Sequence, residues 1–241
     1  MTAHLHPTAP IAADVLLPAD PALAMTLAQR LLDKPLMANH NHGLWGYSGR
    51  DAEGRELTVQ ATGIGGPSAA VVVAELADHG ARRAIRLGLC RALDPALAPG
   101  DAVIADAVLA GEATSRALGV DAAPDTALTD ALARAAGPGA MRVTIASAEL
   151  FHEPEREARD AARAAAGAAV ADLETAAVLA CARHLGLPAA SALVVTGLEA
   201  TTQERKGTQA ALETLAEAAA RALAETARDA QASDSETASL L

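Results

Sequence analysis

The chain has 241 residues, 30 acidic against 19 basic side chains for a formal net charge of -11, and 51% hydrophobic but only 1% aromatic residues. That apolar content can fill a core and excludes a disordered polypeptide, and roughly 250 residues still fit one α/β domain. The acidic balance argues against nucleic-acid binding, and no apolar run approaches the roughly 18 residues a membrane span needs. Cys90 and Cys181 lie far apart, and no signal-like segment opens the chain, so a disulfide scaffold and secretion are not expected and the cytoplasm is.

In chain order, Asp14 to Leu17 reads as a short buried strand closed by Pro18, and Ala22 to Leu32 as a helix that stops before Pro35. Leu57 to Thr62 reads as a second strand, ending in the glycine-rich Gly63 to Ser68, with a helix over Ala69 to His79 closed by Gly80. Further strands are predicted at Ala84 to Leu89, Ala102 to Leu109, Arg142 to Ala146 and Ala190 to Thr196. Helices are predicted at about Thr126 to Ala136, Leu173 to His184 and Thr208 to Ala230. The alanine-rich 161–169 reads as a helix or a surface segment. One domain thus covers residues 1–230, and the polar tail 231–241 is expected to fray. Strands alternating with helices predict a largely parallel sheet covered on both faces, with functional residues just beyond the carboxyl ends of strands.

Four features are candidates for chemistry. The loop Gly63-Ile64-Gly65-Gly66-Pro67-Ser68 joins a strand to a helix; it is either a tight turn or a place where free N–H groups receive an anion or polar ligand. Asp172-Leu173-Glu174-Thr175 reads as the start of a helix, where Glu174 is either a cap or an acceptor for a sugar diol. Phe151, the only phenylalanine, follows the strand at 142–146 and is either core filler or a platform for a planar base. His4 with His6 and His40 with His42 form two H-x-H pairs, but without nearby cysteines or a clear carboxylate set no metal site is expected. No G-x-S-x-G is present, so a serine hydrolase elbow is not supported.

Read together, Ala13 to Pro21, Gly43 to Gly49, Gly63 to Ala70, Ile85-Arg86-Leu87-Gly88, Pro99 to Ile104 and Asp172 to Ala177 resemble, in order and spacing, the nucleoside phosphorylase family of hexameric purine nucleoside phosphorylases, uridine phosphorylases and related nucleosidases. The resemblance spans about residues 4–225. It implies a three-layer α/β/α sandwich with a central mixed sheet, and homodimers assembled into a homohexamer. It implies phosphorolysis of a nucleoside, with orthophosphate as co-substrate and no other cofactor. By the same resemblance Glu174 and Arg86 are the catalytic pair: Glu174 binds the ribose hydroxyls and Arg86 binds phosphate. Leu173 lies under the sugar, Phe151 faces the base, and His4 is lent to a neighbouring subunit. Gly63, His152 and Gly197 complete the implied substrate-binding set.

The chain also departs from the family pattern. Where the family usually has Gly-Asp-Pro-x-Arg, this chain has Ala19 and Leu23, and His42 stands where a neighbour's arginine is usual. Leu89 and Arg91 replace a Ser or Thr and a glycine after Arg86-Leu87-Gly88. Arg91 either refills the phosphate pocket or is a surface arginine. Gly197 occupies the place of the catalytic Asp of purine-specific members. Glu155 and Glu157 occupy the places of the Gln and Arg of uridine-specific ones. A nucleosidase using water and a catalytically weakened nucleoside-binding protein are the alternatives these changes leave.

Overall fold

The computed structural model describes residues 2–197 and 202–239, with side chains described for 2–197 and 203–229. Among them, nine strands form one mixed sheet flanked by seven α-helices. Side-chain caps open α1 (Pro21–Leu31), α3 (Ala113–Leu118) and α4 (Thr126–Ala136). The Asp20 carboxylate accepts from Ala22 N–H at 2.8 Å and opens α1, with Pro21 set in the first turn. Asp125 accepts from Leu128 N–H and opens α4, which Gly137 closes.

β1 (Asp14–Pro18) pairs in parallel with β4 (Glu56–Gln60) on one side and β5 (Arg83–Ala92) on the other. β3 (Gly46–Arg50) is antiparallel to β4, and β2 (Asp33–Asn39) is antiparallel to β3 at the edge. Beyond β5 the sheet closes on itself. β5, β8 (Val170–Asp172), β7 (Ala140–Ser147), β6 (Ala102–Ala110) and β9 (Ala189–Val195) are joined in that order, and β9 pairs back onto β5. The ring encloses a small apolar interior of Cys90, Val103, Ala105, Ile145, Val170, Leu193 and Val195. Strand alternation sends Ile104, Ala192 and Val194 to the opposite face, where α1, α4 and α7 (Thr202–Ser239) pack. α2 (Gly66–Asp78) and α6 (Thr175–His184) cover the other side of the sheet. The three-layer α/β/α arrangement is therefore present. Five of the nine strand pairings are parallel and four antiparallel, so the sheet is more mixed than the alternation of elements predicts.

Five elements were not anticipated: β2, a one-turn 3-10 helix at Asn41–Gly43, β3, β8 and α3; the helix of the helix-or-surface reading at 161–169 is α5 (Arg156–Ala165), which starts five residues earlier. β2 contains Pro35 and five residues that are not buried, a pattern an edge strand tolerates because its outward side needs no N–H donor. α5 falls partly in the alanine-rich segment and carries an alanine stripe at 158, 161, 162 and 165, but it buries no residue. The predicted helix over 173–184 begins only at Thr175, because Asp172 ends a strand and Glu174 is the cap residue between them. α7 starts at Thr202 and continues to Ser239, through the segment read as a polar tail; side chains beyond Asp229 lie outside the described residues. Among the described residues no helix is long and apolar enough to cross a membrane.

Candidate active site

A cleft of about 590 Å³ opens where the carboxyl ends of β1, β8 and β9 meet the second half of β5. Ala19, Asp20, Leu23 and Thr26 line it from the β1–α1 turn, with Ile64 beside them. Arg86 and Gly88 to Arg91 line it from β5, and Ala171 to Glu174 from the β8–α6 junction. Phe151, Thr196 and Gly197 stand at its rim, with Arg205, Thr208, Gln209 and Leu212 from α7. The placement after strands holds for Ala19, Phe151, Glu174 and Gly197; Arg86, Leu89 and Arg91 lie within β5 itself.

At the floor, Arg86 is 1% exposed and faces two carboxylates. Its Nη2 donates to Asp172 Oδ2 at 2.8 Å and to Glu174 Oε2 at 2.6 Å. Its Nε donates to Asp172 Oδ2 and Thr175 Oγ1, each at 3.2 Å. Gly88 makes room for this guanidinium, since a Cβ there would lie 2.7 Å from Arg86 Nη1. Asp172 is held from all sides: Ser147 Oγ and Thr175 Oγ1 each donate to it at 2.6 Å, and Thr175 N–H at 2.9 Å. The strand-to-helix junction thus supplies a fixed acid, because the end of β8 aims Asp172 at the first amides of α6. The cap function that the sequence offered for Glu174 is performed by Asp172.

Glu174 has fewer ties. Its Oε1 accepts from Gly65 N–H at 2.8 Å, and its other oxygen faces Arg86. Gly65 presents that amide from a backbone with φ of 86°, which favours glycine. Burial pushes the Glu174 carboxyl above its ordinary range and Asp172 adds to the shift, while Arg86 and the Gly65 and Leu173 amides oppose it. The glycine-rich loop is therefore both a tight turn and a donor of one N–H to the site. Gly63 itself stands outside the lining, with its N–H donating to Ala19 O at 3.1 Å.

Arg91 borders the cleft, but its guanidinium is paired with an acid. Asp160 of α5 accepts from Nε at 2.9 Å and from Nη2 at 2.5 Å, and Asp160 is shared with Arg163. It is neither a free anion donor nor a solvated surface arginine, its side chain being 14% exposed. Leu89 and Leu23 present apolar side chains to the cleft. Phe151 is 51% exposed at the rim, which rules out core filler, and its ring meets His152 edge-on at 4.9 Å. His152 does not line the cleft.

His4 and His42 lie together and outside this chain's cleft, their rings 5.2 Å apart. His4 is fixed by Glu75 of α2, whose carboxylate accepts from His4 Nδ1 at 2.8 Å and from the N–H groups of Ala3, His4 and Leu5. Burial would raise the Glu75 carboxyl, but these donors outweigh it and bring it from 4.5 down to about 2. A depressed carboxyl adds stability above its unfolded value and loses it as pH falls toward the folded one. Wild type is therefore expected to lose its margin over Glu75→Gln between about pH 4.5 and about pH 2, read as converging thermal midpoints. A margin independent of pH in that window would show that the carboxylate does not anchor the arm.

Asp172, Asp160, Ser147 and the α7 side chains were missed as site residues, and Gly65 was read only as part of its loop. Asp172 had a signal, since a D-x-E pair at the end of an apolar run places two acids at one strand terminus. The others are brought in by pairings distant in sequence.

A cleft at the carboxyl ends of strands in a closed mixed sheet, floored by a buried arginine and two acids, defines an α/β protein with a candidate small-molecule site. The chain belongs to the phosphorylase superfamily, whose family model matches residues 14–230. It is 32% identical over 214 residues to the purine nucleoside phosphorylase DeoD-type of Bacillus cereus (strain B4264), covering 82% of this chain and 89% of that one. Its identity to the protein of the same name from Geobacillus kaustophilus (strain HTA426) is 33% over 215 residues, covering 83% and 89%.

Proposed function

We propose that this chain cleaves the N-glycosidic bond of a nucleoside and passes the pentose to orthophosphate, giving free base and pentose 1-phosphate. The observation that carries this reading is Glu174, a carboxylate only 6% exposed at the floor of the cleft and next to the buried Arg86. A carboxylate there can accept both hydroxyls of a sugar diol. Leu173 lies under the pentose, Phe151 covers the base, and Arg86 holds an anion below C1′. As the glycosidic bond opens, positive charge grows on the sugar ring, and an anion held beneath it lowers the barrier by electrostatics and positioning. The relatives' names favour a purine base. Gly197 supplies no side-chain acid to the departing base, so inosine, adenosine and uridine all belong in the assay. The subunits pair so that His4 and His42 reach a neighbour's site; sedimentation showing only a monomer of about 24 kDa would refute that arrangement.

A second reading, hydrolysis by water, is favoured by the surroundings of Arg86: Leu23 and Leu89 bring no donors and Arg91 is engaged by Asp160. Incubation with each nucleoside, with and without phosphate, separates the two. Release that requires phosphate and yields pentose 1-phosphate supports the first reading, phosphate-independent release the second, and no release under either condition overturns both. The double substitution Ala19→Gly with Leu23→Arg is expected to tighten orthophosphate binding by about 10- to 150-fold. One guanidinium adds a charge-assisted contact of about 1.5–3 kcal/mol. Unchanged affinity by calorimetry would place the anion away from the β1–α1 turn.

A further inference from the structure

The two acids that neutralise Arg86 are held differently, and the difference bears on when an anion can bind. Asp172 accepts from Ser147, from Thr175 twice and from Arg86, so it is a permanent counter-ion. Glu174 accepts from Gly65 N–H and Arg86 Nη2, with the Leu173 amide also favouring its charged form, and its side chain takes no hydroxyl donor and makes no cap bond to α6. The two hydrogens of Nη2 go to Asp172 and Glu174. Nη1 has a single long contact, to Leu87 O at 3.5 Å, and lies over Gly88 in the cleft wall. A planar guanidinium binds an oxyanion best through a fork of two parallel N–H groups, one from each terminal nitrogen. With Glu174 in place, one tine of that fork is occupied.

We infer that the sugar diol opens the anion site: its hydroxyls take the Glu174 carboxylate from Arg86, which frees Nη2 to join Nη1 as a two-pronged donor to orthophosphate. The inference rests on the proposed nucleoside cleavage and adds to it a coupling between the two substrates. No bond is made or broken in this step; one hydrogen-bond acceptor replaces another. Asp172 stays on Arg86 throughout, so the guanidinium is never left unpaired in the core. Coupling of this kind is reciprocal, so phosphate must tighten nucleoside binding by the same factor.

The test measures orthophosphate affinity by calorimetry on the full chain. Formycin B occupies the sugar site without turnover, because its base and sugar are joined by a carbon–carbon bond. Saturating formycin B is expected to tighten phosphate by about 5- to 150-fold, the ordinary range of coupling between sites. 2′,3′-Dideoxyinosine, which lacks both hydroxyls, is expected to leave phosphate affinity unchanged. Glu174→Gln, with no nucleoside present, is expected to bind phosphate at least about fivefold more tightly than wild type, because a neutral amide oxygen competes for Arg86 far less well than a carboxylate. Equal affinity with and without formycin B, an equal gain from the dideoxy compound, or unchanged or weaker phosphate binding in Glu174→Gln each overturns the handover. The function reading fails separately, by absence of base release. Because the Glu174→Gln comparison needs no nucleoside, it decides the inference even if none binds.

Discussion

Asp172→Ala is expected to destabilise the protein by about 3 kcal/mol or more, because removing one partner of a buried ion pair leaves a charge without its compensation. Arg86 would keep Glu174 alone, and Ser147 and Thr175 would lose their acceptor in a region closed to water. For a chain of this length the thermal midpoint should fall by roughly 6–12 °C, at about 2–4 °C per kcal/mol. Asp172→Asn, which retains an acceptor oxygen but not the charge, should fall between that variant and wild type. Calorimetric melting of the three proteins checks the order, and a shift of less than about 2 °C for the alanine variant would mean that the core tolerates Arg86 with a single acid.

Glu174→Ala should behave in the opposite way, with its effect on catalysis rather than on the fold. Arg86 keeps Asp172, so the core remains neutral at that point and the midpoint should move by only a few degrees. If the carboxylate accepts two sugar hydroxyls, two charge-assisted bonds of about 1.5–3 kcal/mol each disappear, and kcat/KM should fall by about 10²- to 10⁴-fold. Nucleoside turnover within threefold of wild type would remove Glu174 from the sugar site and with it the proposed chemistry.

Most of the layered architecture could be read from the sequence, because runs such as Ala84 to Leu89 and Ala190 to Thr196 are apolar apart from Arg86, Ser191 and Thr196, and so nearly continuous an apolar run marks a strand buried on both faces. The closing of the ring could not, since it depends on two residues at the end of β5, Arg91 and Ala92, pairing with Ala171 and Val170 nearly eighty positions later. β8 is three residues long and had no period to detect. The site was legible where one residue type was rare or misplaced: a lone phenylalanine, an arginine in an apolar strand, two acids beside alanines. The fate of Arg91 was not, because Asp160 lies 69 positions away on a helix that buries no residue, and nothing local links the two. Sequence spacing also cannot show that Asp172 and Glu174 divide their duties, which follows from the backbone turning between them.

The ring and the open sheet share β5, and this makes the site uneven in how long its parts stay bonded. Ala84 to Leu87 are paired to β1 on one side and β9 on the other, with Arg86 opposite both Leu17 and Ser191. Amides bonded on both flanks in the middle of a sheet exchange with solvent deuterium only when the whole domain opens, whereas rim segments exchange through small local openings. The strand bearing Arg86 should therefore belong to the slowest-exchanging set in the molecule. The exposed stretches around Ile64 and Phe151 should label orders of magnitude sooner. The cleft has a floor that is rebuilt only when the protein refolds, and a rim that is free to adjust to each ligand.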